Sequence, residues 1–161
     1  MKLKSLLLSL AMVTCNICLA DSFIEGSTAF QNKNYAVALE KWKSSTQDGN
    51  AYAMFNVGNI YYFGHGTQEN HFEALQWFLK ATSLSDGNAE FFIGEIYRKG
   101  LGLNVDLVRS KAWLSIAELK GNKSASQLIS SIESQLQPHQ LAIANFYVEQ
   151  CKSKKLISCS F

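Results

Sequence analysis

Between Ala20 and Gln150 this chain of 161 residues contains no cysteine, and over its whole length it contains one proline, Pro138. The first absence rules out a body stapled by disulfides, or a tetrahedral zinc site built on thiolates. The second removes the strongest helix breaker and leaves the turns to glycine, asparagine and aspartate. Charge of one sign is lacking as well. The formal net charge is +2, and without residues 1–20, which carry Lys2 and Lys4, 13 basic side chains meet 13 acidic ones. A neutral chain with interspersed charges gives no electrostatic case for nucleic acid or an anionic membrane surface as partner.

Long apolar runs are confined to the N-terminus. Met1-Lys2-Leu3-Lys4 is a positive start and Leu6 to Leu19 an apolar run too short to span a bilayer. Cys18-Leu19-Ala20 then offers small residues at both cleavage positions. Residues 1–20 read as a signal peptide cut near Ala20, leaving no integral membrane span and a periplasmic or secreted destination. Acylation would need a small residue before Cys15 or Cys18, where Thr14 and Ile17 stand. Cys151 and Cys159 remain, with seven residues between them. In an oxidising compartment that spacing predicts a disulfide, closing a short loop that folds the tail onto the last helix. A redox pair would call for a tight Cys-x-x-Cys.

Catalytic constellations are missing too. No serine lies in a Gly-x-Ser-x-Gly turn, and Gly64-His65-Gly66 and Gly100-Leu101-Gly102 lack the lysine that follows a phosphate-cradling loop. His65 and His71 have only Glu69 as a nearby carboxylate, too little for a metal site, and His139 reads as solvated. The expectation is a protein that is not an enzyme and uses neither cofactor nor metal.

What the chain does have is one unit written twice. Gly58/Gly94, Ile60/Ile96, Tyr61/Tyr97, Gly64/Gly100, Gly66/Gly102, Trp77/Trp113 and Ala81/Ala117 match at a constant offset of 36. A period of that size marks a stacked array, in which each helix pair buries its apolar face only against its neighbours. The spacing predicts helices over 23–31, 35–47, 51–63, 71–83, 89–99, 106–119, 124–136 and 138–151, with no strand. These form a single all-α domain over 21–161: a half-repeat at 23–48, repeats at 49–84 and 87–120, and a C-terminal helical cap at 122–161 whose serines supply a polar outer end. Tyr61, Tyr97, Trp77, Trp113 and Trp42 are assigned to the core.

Ala53-Met54-Phe55-Asn56-Val57-Gly58-Asn59-Ile60-Tyr61-Tyr62-Phe63-Gly64-His65-Gly66, followed by Phe72 through Ala81, resembles the Sel-one-like repeat, a relative of the tetratricopeptide repeat. Ala89 through Ala117 looks like a second copy, and Asn34 through Trp42 is similar to the half-repeat that often precedes such arrays. Two departures stand out: the Asn88–Gly94 interval is two residues shorter than Asn50–Gly58, and Ser110 stands opposite Ala74. The resemblance implies a right-handed α-solenoid of antiparallel helix pairs and an adaptor-like binding role, often in bacterial envelopes.

The repeat logic also predicts a binding face. If Val57, Gly58 and Tyr61 pack against the paired helix, Phe55, Asn59 and Tyr62 turn the other way. Phe91, Glu95 and Arg98 are the equivalent stripe of the next repeat, and Tyr52 lies at the edge. Phe55 and Phe91 could instead fill the space between neighbouring helices, and Glu95 could simply pair with Arg98. The expected function is a monomeric periplasmic or secreted module that holds a protein or peptide in its concave groove, as an envelope adaptor or in an immunity-like role. Carbohydrate or peptidoglycan binding through Tyr52, Phe55 and Tyr62 is the alternative. A β-lactam-interacting hydrolase, suggested by disulfide-rich relatives of the family, is disfavoured because those relatives staple each repeat with its own cysteine pair.

Overall fold

The structure, a computed structural model, describes residues 22–153 and Cys159; the expected leader lies outside them. Eight helices follow one another among the described residues, with no strand. They are α1 (22–31), α2 (Tyr35–Thr46), α3 (Ala51–Phe63), α4 (His71–Ala81), α5 (Asn88–Lys99), α6 (Leu107–Leu119), α7 (Ala125–Glu133) and α8 (Pro138–Ser153). The architecture is an α-solenoid, in which α3 packs on α4 and α5 on α6, while α2·α3 and α4·α5 contacts join successive pairs. Among the described residues no helix is long and apolar enough to cross a membrane.

Short-range chemistry sets the boundaries. Asn34, Asn70 and Asp106, spaced at the repeat period, cap the second helix of each pair, their side chains accepting from the backbone N–H three residues on at 3.5, 3.0 and 2.8 Å. Gly64 and Gly100 end α3 and α5 in the left-handed conformation that a β-carbon disfavours. The two copies share even their turn bonds: Asn70 N–H donates to the Tyr61 carbonyl at 2.8 Å, and Asp106 N–H to that of Tyr97 at 3.0 Å.

The first departure between the copies has a structural consequence. Asn50 caps α3 by accepting from Ala53 N–H at 3.0 Å. At the equivalent place Asp86 accepts from Asn88 N–H, only two residues on, and α5 begins from Gly87 at φ +71° without a side-chain cap. The second departure adds a bond across a helix pair, since buried Ser110 donates from Oγ to the Gly94 carbonyl at 2.9 Å.

Close approach explains the helical glycines. A β-carbon on Gly58 would stand 2.7 Å from the Phe78 ring, and one on Gly94 would stand 2.6 Å from Leu114 Cγ, the equivalent contact. Trp113, Phe78, Ile60, Ile93, Ile96 and Leu114 are among the largest fully buried apolar side chains. Burying each contributes on the order of 1.5–3 kcal/mol.

Three polar features tie the array together. Lys120, at the end of α6, has its side chain buried (7% exposed), with its ammonium donating to the carbonyls of Thr82 at 2.5 Å and Leu84 at 2.9 Å and pairing with Glu90 at 2.7 Å. Burial holds the fully enclosed Glu90 carboxyl above its ordinary pKa, with the Lys120 hydrogen bond drawing it part of the way back. Lys111 of α6, also buried, donates to Asn145 of α8 and lies 3.7 Å from Glu133 of α7. Cys151 and Cys159 form a disulfide with their Cα atoms 5.1 Å apart, both side chains buried.

Candidate functional site

The first helices α3 and α5 carry all seven residues expected on the binding face, and the structure divides them between two flanks. Phe55 lies between Phe78 of α4 (5.6 Å between ring centroids) and Phe92 of α5 (5.9 Å). Tyr62 meets Phe92 edge-on at 5.0 Å, with Phe63 and His71 as further ring neighbours. Asn59 turns instead toward the preceding pair. With Asn56 it lines a hollow of about 220 Å³ whose other walls are Ser27, Phe30, Gln31 and Trp42. Asn59 Oδ1 is out of solvent and has no hydrogen-bond partner.

Phe91 leans on Phe92 at 5.8 Å and packs toward Leu114 and Ile129, so it serves the junction with α7. Tyr52 stands exposed in the first turn of α3.

Tyr62, Glu95 and Arg98 come together across the α3–α5 junction. Glu95 is only 7% exposed and holds two cations, Arg98 at 2.5 Å and Lys99 at 2.5 Å. Burial pushes the Glu95 carboxyl up, but hydrogen bonds from Arg98 and Lys99 outweigh it and leave the pKa below its ordinary value. Burial likewise raises the Tyr62 phenol, against the pull of Lys99. The cluster is an aromatic floor with one excess positive charge at its edge.

Phe92 was not singled out by the sequence reading, yet five rings surround it: Phe55, Tyr62, Phe63, Phe78 and Phe91. The available signal was a difference between the copies, for Asn56 occupies the equivalent position. His65 and His71 are accounted for by packing, the first stacked on Tyr35 at 5.1 Å and the second against Tyr62, while His139 is exposed. Among the described residues no group of three or more histidine, cysteine, aspartate or glutamate side chains converges as metal ligands would.

The Sel1 repeat family model matches residues 51–86 and 87–122, the two copies seen in the sequence and the fold. An Arabidopsis thaliana protein, ERAD-associated E3 ubiquitin-protein ligase component HRD3A, is 46% identical over 57 residues, which is 35% of this chain and 8% of that protein. Like the other curated relatives it matches, that protein is far longer than this chain. Among solved structures, a protective antigen of uropathogenic Escherichia coli strains displaying an SLR fold superposes with a TM-score of 0.74 at 26% identity, covering 82% of this chain and 29% of the antigen. A Sel1 repeat protein from Oxalobacter formigenes superposes with a TM-score of 0.67 at 21% identity, covering 87% of this chain and 66% of its own.

Proposed function

From the premise that this is a Sel1-repeat protein, we propose that it is a non-catalytic interaction module taking up a polypeptide along the side lined by α1, α3 and α5. The observation that carries this reading is the hollow between α1 and α3. Its rim offers the hydroxyl of Ser27 and the amides of Gln31, Asn56 and Asn59 over an apolar floor of Phe30 and Trp42. Amides both donate and accept, so they suit the alternating N–H and C=O groups of a peptide backbone. Asn59 Oδ1 is out of solvent and lacks a partner in the free protein, and a turn of the side chain toward the hollow would let it accept from a bound N–H, which restores a costly unmade bond. Along the same side, Tyr62 and the Glu95–Arg98–Lys99 cluster add an amphipathic ring and fixed charges, the mixture that anchors partner surfaces.

The proposal includes export. The positive and apolar N-terminal segments support cleavage near Ala20, and the Cys151–Cys159 disulfide suits an oxidising compartment, so a periplasmic or secreted monomer is the form proposed. HRD3A, a larger relative, is by name a component of a ligase, which is consistent with an interaction role.

The test is crosslinking and affinity capture of the mature chain from an envelope fraction, run beside a Gln31→Ala/Asn59→Ala variant confirmed folded by circular dichroism. A defined protein recovered with the wild type and lost with the variant supports the reading. Equal recovery by both would refute this groove as the site, and retention on purified sacculi without any protein partner would replace the reading with glycan binding.

A further inference from the structure

A second cleft lies on the other helices of the array, and the two copies of the repeat differ most sharply there. It measures about 500 Å³ and is lined by α4, the end of α5, the following loop and the start of α6, with Phe72, Leu75, Leu79, Tyr97, Val105 and Arg109 among its walls. Two of these apolar side chains stand largely in water, Phe72 at 57% exposure and Val105 at 59%.

The repeat supplies its own control. At the previous junction the same six positions hold Ala36, Leu39, Lys43, Tyr61, Glu69 and Glu73. There Lys43 donates to the Tyr61 hydroxyl at 2.9 Å, its ammonium 5.4 Å from that ring centroid. At the second junction Leu79 stands in place of the lysine. Alanine has become phenylalanine, one glutamate valine and the other arginine. The scaffold needs neither set, because Asn70 and Asp106 cap their helices identically and Tyr61 and Tyr97 sit in the same turns. An exposed apolar patch found at one junction and absent from its duplicate is a feature of recognition rather than of the fold.

Arg109 indicates what fits. Its Nη1 bonds Asp106 Oδ2 at 3.1 Å, its guanidinium lies 5.8 Å from the Tyr97 ring centroid, and its Nε is out of solvent with no acceptor. Asp106 already neutralises the charge, so a further carboxylate would meet repulsion, whereas a neutral carbonyl could take one of the other guanidinium N–H groups, the side chain being 43% exposed. A helix commits its carbonyls internally, while an extended strand of chain leaves them free.

We propose that the α4–α6 cleft is a second docking surface, for an extended polypeptide stretch that sets a bulky apolar side chain between Phe72 and Val105 and offers a main-chain carbonyl to Arg109. It is independent of the α1–α3 hollow, so this protein can hold two partner segments at once, one on each side of the array.

The probe is a displayed library of random linear peptides of about twelve residues, selected on the mature chain alone and then assayed on a Phe72→Asp/Val105→Asp variant. Both substituted positions are exposed, so the fold should persist, and melting curves check it. Recovered peptides should carry a large apolar residue and bind the wild type and a Gln127→Asp/Ser131→Asp control on α7 equally by fluorescence anisotropy. They should lose at least about tenfold in affinity on the Phe72→Asp/Val105→Asp variant and about threefold or more on Arg109→Met, with little dependence on salt. Peptides insensitive to the cleft variant would overturn the proposal. A concentration-dependent dimer of the wild type that the variant abolishes would also overturn it, by making a second copy the occupant.

Discussion

Two glycines with nearly the same backbone angle offer a matched test of how tightly the third helix pair is closed. Gly49 has φ +79° and Gly87 φ +71°, both in the left-handed region. A β-carbon on Gly49 meets nothing within 4 Å. On Gly87 it would run into the Ala117 carbonyl oxygen and lie 3.0 Å from that residue's carbonyl carbon and Cα. The Ala117 carbonyl is not free to move away, because Asn122 N–H bonds it at 3.0 Å and Lys120 N–H at 3.2 Å. Alanine at Gly49 therefore suffers only the conformational penalty, partly offset by a stiffer unfolded chain, for a net cost of about 0.5–1 kcal/mol. Alanine at Gly87 adds overpacking against backbone, a further ~1–3 kcal/mol. For a chain of this size each kcal/mol moves the melting temperature by about 3 °C. Gly87→Ala should lower Tm by roughly 5–12 °C and Gly49→Ala by no more than about 3 °C. Far-ultraviolet circular dichroism of both variants in one buffer decides the matter. If the two agreed to within about 1 °C, the ends of α5 and α6 would not be in rigid contact and the reasoning would fail.

The buried Glu90–Lys120 pair should behave as a unit: Glu90→Ala, which strands the ammonium, should cost about 3–5 kcal/mol in urea denaturation, while Glu90→Met/Lys120→Met should come close to wild type. Because the Glu95 pKa lies below its unfolded value, its contribution is fully present above the ordinary carboxylate range and is lost as pH falls through the folded pKa. The stability gap between wild type and Glu95→Gln should thus close as pH falls below the ordinary carboxylate range, and a gap that stays constant through acid pH would contradict the assignment. Asn59→Ala removes a buried acceptor that has no partner, so Tm should hold or rise slightly while groove binding is lost; a clear drop in Tm would show that Asn59 supports the fold instead. Oxidised mature protein should take up no thiol label until reduced, and Cys151→Ser/Cys159→Ser should lower stability by about 2–3 kcal/mol.

Much of the fold was legible in advance because the signals are local. Every expected helix appears with its ends shifted by a few residues at most, and α3 has the expected bounds. Its caps at Asn50 and Gly64 act within one turn of backbone and need no tertiary partner to be recognised. The unreadable features were those at which the copies differ. Glu90 and Lys120 look like solvated charges in the sequence, but their counterparts are Met54 and Leu84. A charge standing where the duplicate has an apolar residue was the clue to a buried pair. Phe92 against Asn56 and Arg109 against Glu73 are clues of the same kind, each marking a contact that belongs to one junction only.

The sequence by itself determined the period, the helix pairs, the turns and the glycines at which helices touch, because caps, left-handed turns and apolar spacing are properties of a few consecutive residues. Only the tertiary structure decided which flank each exposed side chain serves. Residues three apart on a helix differ in direction by about 60°, and a first helix of a solenoid has a neighbour on either side. Asn59 and Tyr62 fall on opposite sides of that divide, one facing α1 and the other α5. The stripe that reads as one surface in the chain is therefore two half-grooves in space, each completed by a neighbouring helix.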